Sequence, residues 1–233
     1  MIRDEFNTRK AEIDSYYEIL RIIELESPNI SAYNLNEGIT TSLPINSEKI
    51  CALRSTAYLL LYNLIESTVY NSIVSIFDSI SDDHLKYFDV INEVQKYWLN
   101  QLYKHDDKKK KEAIIETIMN IAIQIQNDTI SLVSNEISYG GSLDARTIQN
   151  TAQSMNIEIK YIHQMYNAST HGTALSNIKQ KRNWLAHGEK SFTDVGRQCS
   201  TTELTDAKDR VYEYLDAFIT SVEKYINDKK YKK

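Results

Sequence analysis

Breaks are scarce in this chain. Two prolines and six glycines in 233 residues are too few for a fold built on frequent turns, so long uninterrupted elements are expected. Cysteine is scarcer still: Cys51 and Cys199 lie far apart, with no Cys-x-x-Cys and no Cys/His cluster. That composition argues against a structural zinc site or a disulfide framework. The longest apolar stretch, Ala57–Tyr62, falls far short of the roughly 20 residues that span a bilayer. The start, Met1-Ile2-Arg3-Asp4-Glu5, lacks the apolar core of a signal peptide. A soluble, reduced, cytoplasmic protein with no membrane partner is expected. No glycine-rich phosphate loop, Gly-x-Ser-x-Gly elbow or His-Glu-x-x-His helix is present. Positive charge is not in excess either. With 27 basic and 32 acidic residues the net charge is −5, so a nucleic-acid partner would have to be met by a local basic patch.

What is present is helical spacing. Residues 3–25 place Phe6, Ile13, Tyr16, Leu20 and Ile23 on one stripe. Residues 27–46 hold both prolines with several Asn and Ser, and read as an irregular connection. A long helix over about 48–80 is expected, with Ser47 as N-cap and Glu48 in its first turn. Its ridge is Leu61, Ile65, Val69, Ile73, Ile76 and Ile80, and Tyr58, Leu59 and Leu60 add apolar surface on other faces. A third helix, capped by Ser81, is expected to reach about Tyr103 with Leu85, Phe88, Ile91, Val94, Trp98 and Leu102 inward. The lysine-rich run 105–111 follows as an exposed end. Ile114, Ile118, Ile121 and Ile125 mark a fourth helix, and residues 129–137 read as helical or irregular.

Tyr139-Gly140-Gly141-Ser142 is a turn, with Ser142 capping a short helix over about 143–155 and Asp144 complementing its dipole. Residues 167–173 read as a polar loop containing His171. A helix over about 174–187 follows, with Gly188 in the C′ position. Ser200-x-x-Glu203 is a capping box that opens a last helix through Leu204, Ala207, Val211, Leu215, Phe218, Val222 and Tyr225. The expected fold class is all-α: one antiparallel helical-bundle domain over 1–233. In it, 1–46 is an N-terminal helix and connection, 47–228 the helical core, and 229–233 a solvated lysine-rich tail.

The chemistry concentrates in Lys181-Arg182-Asn183-Trp184-Leu185-Ala186-His187-Gly188. At about 100° per residue, Asn183 and His187 are about 40° apart on one helix face, whereas Arg182 is about 140° from His187. Arg182 reaches that face only through its length, a local distortion, or a second copy of the helix. Two-fold symmetry would supply the copy, which favours a composite site in a homodimer. Arginine presents a fixed fork of donors to phosphate oxygens. Histidine exchanges protons in the neutral range, and asparagine can orient either group. With no carboxylate cluster at metal-binding spacing, the set suits transfer of a phosphoryl group to an RNA 2′-hydroxyl without metal or other cofactor, a reaction DNA cannot undergo. The alternative is a helix-end histidine favoured by the macrodipole, beside a surface arginine.

The neighbouring residues add a resemblance. Arg182-Asn183-x-x-Ala186-His187-Gly188, late in a helical chain and followed by one more long helix, resembles the motif of the HEPN superfamily. Three further stretches resemble its bacterial branch encoded beside defence and toxin–antitoxin genes: Leu53-Arg54-Ser55-x-x-Tyr58-Leu59-Leu60-Leu61-Tyr62-Asn63-Leu64-Ile65-Glu66, Gly141-Ser142-Leu143-Asp144-Ala145-Arg146, and His187-Gly188-Glu189-x-x-Phe192. The likeness covers about 52–226. It implies a helical bundle, homodimerisation, and metal-independent endoribonuclease activity with Arg182, Asn183 and His187 as the catalytic set. A toxin or antiphage role and an antitoxin partner come with it. A non-catalytic module binding RNA, nucleotide or protein is the alternative.

Supporting residues are read on chemistry. Asn63 and Glu66 share a face of the long helix, where the carboxylate can orient Arg182, act on His187, or pair with Arg54. Arg54 and Arg146 bind phosphate or bridge helices. Lys179, Lys181 and Lys190 form a basic patch for RNA around the motif. His171 reads as a loop residue, and His84, His105 and His163 have no partners at useful spacing. Trp184 can stack on a base.

Overall fold

The computed structural model describes residues 2–25, 28–103, 111–134, 137, 143–159 and 168–233. The motif is positioned by one helix above all, α2 (Ser47–Asp82), whose 36 residues make a rod about 54 Å long at about 1.5 Å per residue. Its ridge is completely enclosed: Leu61, Ile65, Val69, Ile73, Ile76 and Ile80 are all buried. Helices α1 (Ile2–Ile23), α6 (Ala168–Ala186), α7 (Phe192–Arg197) and α8 (Thr201–Asn227) all pack on it. This explains why apolar residues appear on more than one of its faces. Burial of each large aliphatic or aromatic side chain in that core contributes about 1.5–3 kcal/mol.

The helix begins one residue earlier than the Ser47 cap expected from sequence. Asn46 is the N-cap, its side-chain oxygen accepting from the Lys49 amide at 3.1 Å. At the other end Ser81 lies inside the helix and caps nothing further. Asp83 closes it, and His84 follows in the left-handed region at φ 48°. The expected third helix is therefore split into a short 3-10 turn (Tyr87–Asp89) and α3 (Asn92–Leu102). Val94 and Trp98 are buried as expected, but Phe88 is 67 % exposed.

Residues 27–46 are not wholly irregular. β1 (Asn29–Asn34) and β2 (Ile39–Pro44) form an antiparallel hairpin, pairing Asn29 with Pro44 and Asn34 with Ile39. Gly38 takes φ 66° in its turn and donates to the Asn34 carbonyl at 2.9 Å. Both prolines sit at strand margins, where a missing donor is tolerated. All twelve strand residues are exposed, so no one-sided burial disclosed the strands in the sequence.

α4 (Lys111–Asn127) forms where the isoleucine spacing predicts it, yet none of its residues is buried and Ile118 is exposed. After it, the described part of 129–137 is irregular: Thr129 bridges Lys86, and Ile130 and Leu132 enter the core. α5 (Ala145–Ser154) is capped by Asp144, which accepts from the Thr147 amide at 2.9 Å. The turn at 139–142, the cap assigned to Ser142, and His105 and His163 lie outside the described residues.

α1 runs along α8, burying Phe6, Ile13, Leu20 and Ile23, with Tyr17 rather than Tyr16 as its innermost tyrosine. Arg3 ties the two helices, bonding Glu223, Thr220 and Asp216. α8 has its full capping box, with Ser200 Oγ accepting from Glu203 N and Glu203 Oε2 accepting from Ser200 N at 2.8 Å. Among the described residues no helix is long and apolar enough to cross a membrane.

At the lysine-rich end, Tyr231 folds back onto the far end of α2, while Lys229, Lys230 and Lys233 remain exposed. Tyr231 is buried, and its hydroxyl donates to Asp83 Oδ2 at 2.7 Å. Lys229 and Lys232 pair with the same carboxylate at 2.6 and 2.9 Å. Backbone bonds Ile91 N to Tyr231 O and Lys233 N to Asp89 O complete the clasp.

Candidate active site

Helix α6 carries the motif, and its end is sharply defined. Gly188 adopts φ 70°, which a side chain would disfavour. The Glu189 amide reaches back to the Trp184 carbonyl at 2.9 Å, and Gly188 N reaches Leu185 O at 3.4 Å. This is a Schellman closure. It reverses the chain directly after His187 and brings Lys190 back over the last turn.

α6 also starts six residues earlier than the expected 174, so the segment read as a polar loop is helix from Ala168. His171 is consequently a core residue, 3 % exposed, with Nε2 3.1 Å from Glu213 Oε2 on α8. A histidine surrounded by polar residues looks like a loop residue in one dimension. Only the packing of α6 on α8 encloses it.

Within the motif, Arg182 turns toward α2. Its guanidinium lies 4.5 Å from the ring centre of Tyr62, and Nη1 donates to Asn183 Oδ1 at 3.1 Å. The guanidinium is thus held between the Tyr62 ring of α2 and the Asn183 side chain. His187 sits one turn beyond Asn183, with its amide donating to the Asn183 carbonyl at 3.0 Å. Its side chain is exposed at the helix end. Burial pushes the Tyr62 phenol above its ordinary range, against the lowering effects of the Leu143 amide and Arg182. The neutral hydroxyl accepts from Leu143 N at 3.2 Å. Nothing in the spacing of the 16 tyrosines distinguishes Tyr62, and only the packing of α6 on α2 singles it out.

The supporting residues divide. Asn63 accepts from Arg9 of α1 at 3.1 Å, away from the motif. Arg54 bridges helices, bonding Glu24 and the Cys199 carbonyl. Glu66 is half-buried near Tyr62, whose phenol its charge raises. No ion pair joins Glu66 to Arg182, His187 or Arg54 among the described residues. Arg146 is exposed on α5.

Of the three lysines, Lys179 pairs with the α5 cap Asp144. Burial pushes that carboxyl up, but Lys179 and Thr147 more than reverse it and hold it below the ordinary range. Lys181 donates to Gln198 Oε1 at 2.7 Å. It also stands 4.8 Å from the Trp184 ring centre, and Lys190 stands 3.5 Å from the same ring. Burial, and then Lys190, lower the Lys181 ammonium below its usual range.

Two cavities lie between α6 and α8. One of about 320 Å³ is lined by Tyr58, Asn177, Lys181, Gln198 and Arg210 among others. Its neighbour of about 280 Å³ holds His171, Glu213, Asp206, Asp209 and Arg210. Arg182, Asn183 and His187 line neither. Among the described residues, no group of three or more His, Cys, Asp or Glu is arranged to hold a metal ion.

A mostly helical bundle with an Arg-Asn-x-x-Ala-His-Gly helix laid across its longest rod is the architecture that the motif's resemblance implies. The family comparison agrees: the model of the HEPN_MAE_28990-like HEPN family matches residues 1–231. The chain belongs to this HEPN family. Comparison with curated proteins and with solved structures gives no match.

Proposed function

We propose that this protein is a metal-independent endoribonuclease that acts as a toxin or antiphage effector. The observation that carries the reading is the Arg182–Asn183 bond at 3.1 Å, which draws a phosphate-binding guanidinium toward the face that bears His187. Membership of a HEPN family supports it. Arg182 would grip the non-bridging oxygens of the scissile phosphate and stabilise the charge that builds on them. His187 would take the proton of the 2′-hydroxyl. The 2′-oxygen then bonds to phosphorus while the bond to the 5′-oxygen breaks. A proton is returned to that leaving oxygen, giving a 2′,3′-cyclic phosphate and a 5′-hydroxyl. Asn183 orients the guanidinium.

The active unit in this reading is a homodimer. The motif lies outside both cavities and His187 is exposed, so a second copy would supply the missing wall and the second acid/base group. An antitoxin protein would act by covering this same face.

The test is cleavage of RNA by the purified chain in EDTA, with the ends analysed for cyclic phosphate. His187→Ala is expected to lose at least about 100-fold in rate. Unchanged cleavage by this variant would overturn the site. Mixing Arg182→Ala with His187→Ala protein tests the composite site, because a heterodimer regains one intact pair only if the two residues come from different copies. Binding of RNA without cleavage under all conditions would instead indicate a non-catalytic module.

A further inference from the structure

Two ammonium groups share one indole at the motif's edge. Lys181 Nζ stands 4.8 Å and Lys190 Nζ 3.5 Å from the ring centre of Trp184. Trp184 is only half-buried and packs partly on the core. Neither lysine forms an ion pair with a carboxylate among the described residues; Lys181 is held by the neutral amide of Gln198. Like charges so placed repel each other, and an anion between them would remove the repulsion. The arrangement is built by the fold, since the left-handed Gly188 and the Schellman closure return Lys190 to the turn that carries Trp184.

Position relative to His187 decides what such a site would serve. Trp184 and His187 are three residues apart on α6, about 60° around the helix. Asn183 flanks His187 on the other side. An aromatic ring beside the acid/base group, with two cations over it, matches single-stranded nucleic acid once the lysines move off: the ring takes a base face and the cations take the backbone phosphates.

We propose that Trp184, Lys181 and Lys190 form a nucleotide subsite next to the scissile bond. The base of the adjoining nucleotide stacks on the indole, and its phosphate lies between the two ammonium groups. The lysines occupy the ring face in the free protein and swing onto the phosphate when the base arrives. The subsite rests on RNA being the substrate of the Arg182–His187 site. It adds a preference for unpaired RNA, because a base held in a duplex cannot stack on a side chain.

The experiment measures affinity for two labelled single-stranded probes, a deoxy-oligonucleotide of roughly ten residues and an abasic strand of the same length. Neither has a 2′-hydroxyl, so neither is cut. Wild type is expected to favour the base-bearing probe, and Trp184→Ala to weaken that probe about ten-fold while leaving the abasic one nearly unchanged. Lys181→Gln and Lys190→Gln are each expected to weaken both probes and to reduce the slope of log affinity against log salt by about 0.7. An unchanged preference for bases in Trp184→Ala overturns the stacking, and so does an equal loss on both probes. An unchanged salt slope in both lysine variants overturns the phosphate contact. If circular dichroism shows that Trp184→Ala is unfolded, Trp184→Phe replaces it, with an intermediate preference expected and an unchanged one counting against the subsite. Cleavage of an RNA substrate, assayed in parallel, separates the two ideas. Intact probe discrimination with no cleavage of RNA by wild type sinks the nuclease reading alone, whereas cleavage of RNA without base preference on the probes sinks the subsite alone.

Discussion

The Arg182 guanidinium rests 4.5 Å from the centre of the Tyr62 ring, so the long central helix supplies the surface that aims the motif's arginine. A cation over an aromatic face is stabilised by about 0.5–2 kcal/mol, more where water is excluded. Replacing the ring therefore acts on Arg182 without touching the motif.

Tyr62→Leu is expected to lower the rate of RNA cleavage about 3- to 30-fold. Tyr62→Phe keeps the ring and should retain most of the activity, losing only the hydroxyl's bond to Leu143. Steady-state kinetics on one RNA substrate check both. Equal activity in the Leu and Phe variants would mean that the ring has no part in positioning Arg182.

Two glycines should fail for different reasons. A Cβ on Gly196 would stand 1.9 Å from the Cys51 carbonyl oxygen, a backbone clash that forces α7 off α2. Gly196→Ala is expected to cost about 3 kcal/mol or more. Gly188 has open space around its Cβ position but φ 70°, so Gly188→Ala should cost about 1 kcal/mol through the left-handed backbone alone. Urea denaturation of both variants gives the comparison.

Lys179 is expected to behave as a structural residue. It is held by Asp144, the cap of α5. Lys179→Gln should lower thermal stability and leave RNA affinity within about two-fold, opposite to Lys190→Gln; the surface patch then loses about one phosphate contact only in the second case. Melting curves beside RNA titrations separate the two behaviours.

The Asp83 clasp predicts a pH dependence. Lys229, Tyr231 and Lys232 hold the Asp83 carboxyl well below its usual range. A depressed folded value means that its stabilisation is fully present above the ordinary carboxylate range, near about 4. It drains away as pH falls below that toward the folded value. Asp83→Asn should therefore melt lower than wild type at neutral pH, and the gap should narrow as pH drops from about 4 to 2. A gap that stays constant over this interval would exclude the linkage.

Much of this molecule was legible in its sequence where periodicity is long. The α2 ridge from Leu61 to Ile80, the Ser200–Glu203 box and the Gly188 terminus all report local physics that a linear pattern carries. The failures share a different cause. The hairpin at 29–44 buries neither face, so its strands lacked the alternation that marks a half-buried sheet. His171 looked polar and exposed until α8 closed over it. The lysine end, 229–233, is recruited by one distant carboxylate, and sequence distance hid that. At the candidate site, helical angles alone set Arg182 apart from the face shared by Asn183 and His187. They could not reveal that Tyr62, on another helix, receives the side chain.

The length of α2 has a practical consequence. Tyr62 and Asp83 are separated by about 30 Å along the same helix at about 1.5 Å per residue. The arginine platform and the C-terminal clasp are thus remote stations on a single shaft, with no shared partners. Substitutions at the two stations should combine additively in stability. A fluorophore or tether fixed near Lys233 would then report on the bundle from the end of α2 remote from the Arg182–Tyr62 contact.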